Sequence, residues 1–254
     1  MPRVSNNQAG YDTAQATASE STVRHTVELE SLELGDQLLR KIVKNSRPIQ
    51  ILDCKDAAAQ LEIFQGRYES MYQQYKVLFN ASLIDHRNKT IIDDYDPFSA
   101  YLKVVDRESQ AFLGGCRIIF LKDLPEHLLT SQPGCVFPKM YEHTRPELPQ
   151  GFDIKKATII SYVFGKDGVG NCTYKKLVST LGDLLFRESF QHSIENGCKW
   201  ILLTCKPYMH SYLSSYGFET IYKTFPLNEI GGTDRRLLIL DAEKIKDFFT
   251  KERQ

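Results

Sequence analysis

The spacing of apolar positions changes repeatedly along this chain, and each change marks an element. From Val27 to about Lys44, Leu29, Leu32, Leu38, Leu39, Ile42 and Val43 follow helical spacing, which predicts an N-terminal helix over 26–46. Pro48–Cys54 (PIQILDC) reads as a short strand, and Ala57–Phe79 as one or two aromatic-rich amphipathic helices divided at Gly66. Two strands, Ala100–Val105 and Phe112–Phe120, flank the polar turn DRESQ and predict a hairpin. The five prolines between Leu124 and Pro149 exclude long regular elements and predict a covering loop. Lys156–Phe164 is a buried strand, GKDGVGN a glycine loop, and Thr173–Asn196 a helix with Leu177, Leu181, Leu184 and Leu185 on one stripe and Gly197 as its C-cap. A strand at Trp200–Cys205, a short helix at Tyr208–Ser215, strands near Phe218–Phe225 and Arg235–Leu240, and a terminal helix complete the order. The sum is an α/β domain over 47–254, with a central mixed, twisted sheet flanked by helices.

Residues 1–25 contain too few large apolar side chains to offset the entropy of ordering, so they are expected to form a flexible tail. The 254 residues carry 32 Lys+Arg and 32 Asp+Glu, a balance that removes any global attraction to nucleic acid. The six cysteines form no CxxC pair and no Cys/His metal spacing, so buried, reduced thiols and no metal are expected. The N-terminus lacks a signal-peptide core and no run of 18 apolar residues follows, which makes a cytoplasmic protein without a membrane span the expectation. Oligomeric state leaves no signal in the sequence.

The most informative chemistry begins at the glycine loop. A strand, loop and helix in succession expose backbone N–H groups at a helix start, where the helix dipole favours anions. The candidate donors are Gly168, Val169, Gly170 and Asn171, with Lys166, Lys175 and Lys176 as phosphate partners; an ordinary tight turn accounts for the same residues equally well. GxGxxG is absent, so this is no dinucleotide fingerprint. Together with CKWILLTCKPYMHSYLSSYGFETI, the loop resembles the GNAT acyltransferase superfamily. That resemblance implies that the loop holds the pyrophosphate of coenzyme A, and that Val163 and Phe164 on the preceding strand meet the thioester arm. It further implies that Tyr212 or Tyr216, on or after the short helix, protonates the leaving thiolate; packing is the competing role for Tyr212.

The stretch IIDDYDPFSAYLKVVDRESQAFLGGCRIIF is similar to the signature of the acyl-homoserine-lactone (autoinducer) synthases, an acidic D-x-Y-D followed by a strand and then a glycine and an arginine. Asp93, Asp96 and Arg117 carry the match, and the resemblance implies that they position a substrate amine. DDYDP is also good turn chemistry, and Arg117 could simply pair with a carboxylate. Other family markers are missing. The expected arginine and phenylalanine of the first helix align best with Gln74 and Leu78, while Arg67 and Met71 have the right spacing but lie further upstream. The glutamate, serine and arginine expected on the later strand fall on Thr158, Ile160 and Ser161. The likeness extends equally to long-chain N-acyl amino acid synthases, whose looser pattern accommodates these changes.

Two functions of different class follow. One is an enzyme moving an acyl group from an acyl-CoA or acyl-carrier-protein thioester to a small-molecule amine, with Arg117, Thr158, Ser161 and Tyr162 lining the substrate and Asp93 and Asp96 orienting the amine. Backbone N–H groups near Tyr162 to Phe164 would polarise the carbonyl. The other is a binding or regulatory protein that keeps the fold without the chemistry. A Cys205/His210 nucleophile pair, general bases at His86 or His143, and an acyl pocket along Phe64, Tyr68, Tyr72, Tyr75 and Phe79 are weaker readings against core packing and solvated loops.

Overall fold

The computed structural model describes residues 21–27, 49–69, 83–129, 148–165, 174–205, 210–214, 216–227 and 233–245. Its strands are β1 (Ser21–Val27), β2 (Ile49–Cys54), the two-residue β3 (Ile84–Asp85) and β4 (Thr90–Ile91), β5 (Ser99–Asp106), β6 (Phe112–Phe120), β7 (Ala157–Gly165), β8 (Trp200–Cys205), β9 (Glu219–Leu227) and β10 (Thr233–Asp241). The helices are α1 (Ala57–Gly66), α2 (Glu126–Leu129), α3 (Tyr174–Glu195) and α4 (His210–Ser214). Eight strands form one sheet in the order β1-β2-β5-β6-β7-β8-β10-β9, and β3 and β4 form a separate small hairpin. Every pairing in the large sheet is antiparallel except β7 with β8. This is the mixed α/β sheet that the alternating periods predict.

Local chemistry sets the boundaries. Asp56 caps α1 by accepting the Ala59 N–H at 2.7 Å. The DRESQ turn is held by Asp106, whose Oδ1 accepts the N–H groups of Glu108 (3.0 Å) and Ser109 (2.7 Å). At the end of α3, Gly197 takes φ +76°, and the Cys198 N–H reaches the Ser193 carbonyl at 3.0 Å. That is the glycine C-cap expected from the sequence.

The two faces of the sheet differ. One packs on α3, where Leu181, Leu184 and Leu185 meet Leu102, Val104 and Ile118, and Phe186 and Phe190 meet Ile201, Leu203 and Leu238. The other is covered in two places. Next to α1 lie Cys54, Ile63, Phe64, Tyr101 and Phe164; next to the loop after β6 lie Ile119, Leu121, Leu128, Trp200 and Leu202. The polar cluster described below separates these two apolar patches.

The N-terminal expectation needs correction. Ser21–Val27 is strand rather than tail, pairing antiparallel with β2 at the sheet edge. Its register slips between Val23 and His25, so Arg24 is the extra residue of a β-bulge. The bulge turns Arg24 toward α3, where it lies 2.7 Å from Glu195, 3.6 Å from Glu188 and 3.4 Å from Asp53, and contacts His192 Nδ1. Burial, with the Arg24 charge beside it, holds the His192 imidazole below its ordinary value and so neutral. Residues 1–20 and 28–48, including most of the expected N-terminal helix, lie outside the described residues. Arg24→Gln is expected to cost about 1 kcal/mol, since three carboxylates share one partly screened cation. Hydrogen exchange should report this as faster exchange across 21–27 with α3 unchanged, and equal loss in both segments would argue against a local clamp.

Candidate functional site

Three polar side chains lie in one row across the middle of the sheet. Tyr101 on β5 is directly opposite Arg117 on β6, and Arg117 is directly opposite Ser161 on β7. Cross-strand partners share a face. Here that face is the one carrying α1, and Arg117 Nε donates to Ser161 Oγ at 3.0 Å.

Above the row sits the DDYDP turn. Asp96 opens a 3-10 turn ending at Phe98, Asp93 Oδ1 accepts the Tyr95 N–H at 3.0 Å, and Asp96 Oδ2 accepts the Asp93 N–H at 2.7 Å. The turn reading and the site reading of this motif therefore both hold. Arg117 Nη1 reaches Asp93 at 2.5 Å and Asp96 at 2.8 Å, and Tyr101 donates its hydroxyl to Asp96 Oδ1.

Sequence spacing passed over the second arginine. Arg67, the residue after α1, is fully buried; its Nη1 donates to Asp96 at 2.9 Å and to the Ile91 carbonyl at 3.3 Å. Its guanidinium lies 5.2 Å from the Phe64 ring centre and 5.4 Å from that of Tyr101, within cation–π range. Gln74, Met71 and Leu78, the other positions of the two alignments, lie outside the described residues. The Arg67–Met71 spacing was the available signal for Arg67. Tyr101 had none until the hairpin register was known.

The electrostatics follow from burial opposed by pairing. Burial raises the Asp96 carboxyl, but Arg67 and Arg117, helped by the Tyr101 hydroxyl, outweigh it and hold Asp96 below the usual carboxylate range. Burial pushes the Tyr101 phenol well above its ordinary value, so Tyr101 remains a donor. Two arginines against two aspartates leave the cluster neutral, with side-chain exposure of 3% at Asp96 and 12% at Asp93.

Beside this cluster the sheet opens. The parallel ladder pairs Ala157, Thr158 and Ile159 with Trp200, Ile201 and Leu202 and then stops, although β7 continues to Gly165 and β8 to Cys205. Ser161 lies two residues past the last pair. The β6–β7 register slips between Gly115/Phe164 and Arg117/Ser161, so Tyr162 and Val163 form a bulge there. The end of the parallel ladder and the bulge in β7 thus lie next to the charged cluster.

The remaining expected residues separate clearly. Thr158 is fully buried and donates its hydroxyl to the Ile119 carbonyl at 2.9 Å; it belongs to the sheet rather than to a substrate surface. Tyr216 is also a packing residue, edge-on to Phe190 at 5.8 Å in the α3-side core with Arg187 over its ring. Cys205 lies in that same core. Phe164 is buried against Phe112 in the α1 patch, and Val163 is half-buried toward α3. His86 faces the Tyr68 hydroxyl at 3.2 Å. The side chains of Tyr162 and Tyr212, the loop Gly168, Val169, Gly170 and Asn171, and His143 lie outside the described residues. Among the described residues no His/Cys/Asp/Glu group could hold a metal ion, and no helix is long and apolar enough to cross a membrane.

The chain has a GNAT-like α/β fold, shared with solved synthase structures. It is similar to FeeM, an N-acyl amino acid synthase from uncultured soil microbes, with 10% identity and a TM-score of 0.54 over 78% of this chain and 93% of that one. BjaI, a CoA-dependent acyl-homoserine lactone synthase solved with SAM and isopentyl-CoA, gives 12% identity and a TM-score of 0.52 over 76% and 82%. TofI, solved in a ternary complex with an inhibitor and MTA, gives 14% and 0.51 over 74% and 86%. No protein-family description and no curated protein matches the sequence.

Proposed function

We propose that this chain is an N-acyltransferase that moves an acyl group from an acyl-CoA or acyl-carrier-protein thioester to the amine of a small molecule. The observation that carries the reading is the Asp93–Arg117–Ser161 cluster beside the opening between β7 and β8. In this reading the thioester enters the opening and its carbonyl oxygen meets backbone N–H groups of the bulged segment near Tyr162 to Phe164. The acceptor ammonium docks at Asp93 and gives one proton to water; its nitrogen then attacks the carbonyl carbon and gives a second proton to water as the amide forms. The C–N bond forms, the C–S bond breaks, and the thiolate takes a proton from Tyr212 or water. The loop Gly168 to Asn171 at the start of α3 would receive the pyrophosphate of CoA. The cytoplasm, where CoA thioesters are abundant, is the compartment this reading expects.

A second reading, a binding protein that retains the fold without turnover, is favoured by one observation: β7 carries Thr158 and Ser161 where the resembled synthases place charged groups. Incubation with acetyl-CoA and longer acyl-CoAs, followed by thermal shift and by thiol release over a panel of amines, separates the two. The enzyme reading expects stabilisation by acyl-CoA and amine-dependent thiol release. Stabilisation without release supports the binding protein, and no stabilisation by any thioester sinks both.

A further inference from the structure

The cluster is not a set of equivalent charges. Asp96 accepts from Arg67, Arg117, the Tyr101 hydroxyl and the Asp93 N–H, and its side chain is 3% exposed. A carboxylate enclosed in that way cannot also receive a ligand. Asp93 shares the same arginine but reaches the surface. Tyr101 is pinned between the Phe64 ring, edge-on at 5.6 Å, and the Arg67 guanidinium, and sits across the ladder from Arg117. Ser161 holds Arg117 from the other side.

We propose that Tyr101 and Arg67 are positioning residues that lock Asp96, and through it Arg117 and the 93–96 turn, so that Asp93 alone of the two aspartates contacts the acceptor ammonium. The lock is a property of the fold; the ligand at Asp93 rests on the acyl-transfer reading. Because Asp96 carries the constraint and Asp93 the contact, the two should fail in different ways.

Tyr101→Phe removes one hydroxyl and keeps the ring contacts, and Asp93→Asn keeps the side-chain shape. Asp93→Asn is expected to raise the KM for the amine at least about tenfold, the loss of one charge-assisted hydrogen bond, with the thioester KM unchanged. Tyr101→Phe is expected to lower kcat about tenfold with little change in the amine KM, and to move the acid limb of the pH–rate profile to higher pH. A lowered Asp96 contributes stability that is present above its unfolded value and lost as pH falls through its folded one; removing a donor raises the folded value, so acid unfolding should also begin at higher pH. An unchanged amine KM in Asp93→Asn overturns the contact, and an unmoved acid-unfolding midpoint in Tyr101→Phe overturns the lock. A wild-type protein that turns over no amine overturns the acyl-transfer reading and the role of Asp93 together, while the acid-unfolding comparison still decides the lock.

Discussion

Arg67→Met is expected to destabilise the protein by about 3 kcal/mol, read as a fall in the urea midpoint at constant slope. Methionine refills much of the volume over Phe64 and Tyr101, so the loss reports charge rather than a cavity. Arg117 and Tyr101 still face Asp96, which keeps the cost at the lower end for a broken buried pair. The companion Arg67→Met/Asp96→Asn should recover part of the loss, because the stranded anion is gone. If the double variant is as unstable as the sum of the singles, the two residues are not an energetic unit.

Gly66→Ala is the second large effect, and it acts through geometry. A Cβ at Gly66 would stand 2.6 Å from Phe164 Cε2 and 2.8 Å from Phe112 Cε1, so the rings or the helix must move. Both rings belong to or pack against the α1 patch, and Gly66 immediately precedes Arg67. Alanine brings up to about 1 kcal/mol of helix propensity, against an overpacking cost of about 1–3 kcal/mol. A net loss of stability is expected, together with weaker acyl transfer as Arg67 is carried away from Asp96. Gly66→Ala/Phe164→Leu should regain both by making room. Full stability in Gly66→Ala alone would mean that the helix slides at no cost, and the close approach would then have no role.

How far these contacts were legible depended on what fixes them. The hairpin could be read directly, because β5 and β6 are joined by a turn whose polar residues stand out, but Tyr101 comes opposite Arg117 only through a register shift between Val104 and Val105, which the turn does not announce. The meeting of Asp93, Asp96 and Arg117 was legible through the motif they share with the resembled synthases, not through local spacing. Ser161 joins them through a pairing 44 residues away, which no local pattern specifies. Arg67 meets Asp96 through the approach of α1 to the sheet, where Gly66 has no side chain, and spacing along the chain does not specify that approach. The place of Tyr216 after the short helix suits a proton donor, but its ring is buried, next to Gly217 at φ +89°. STVRHTV is rich in β-branched residues, as strands are, yet its partner is not adjacent in sequence and its polar content masked it.

That edge strand has a consequence for how the molecule behaves in company. β2, with the sequence IQILDC, is apolar enough to recruit a strand from a neighbouring chain, and β1 occupies the side on which that would occur. The outermost ladder among the described residues is thus STVRHTV, tied by its bulged arginine to α3. A chain beginning after residue 27 would lack the partner that β2 has in β1, and a gain of self-association, ahead of unfolding, is the expected result.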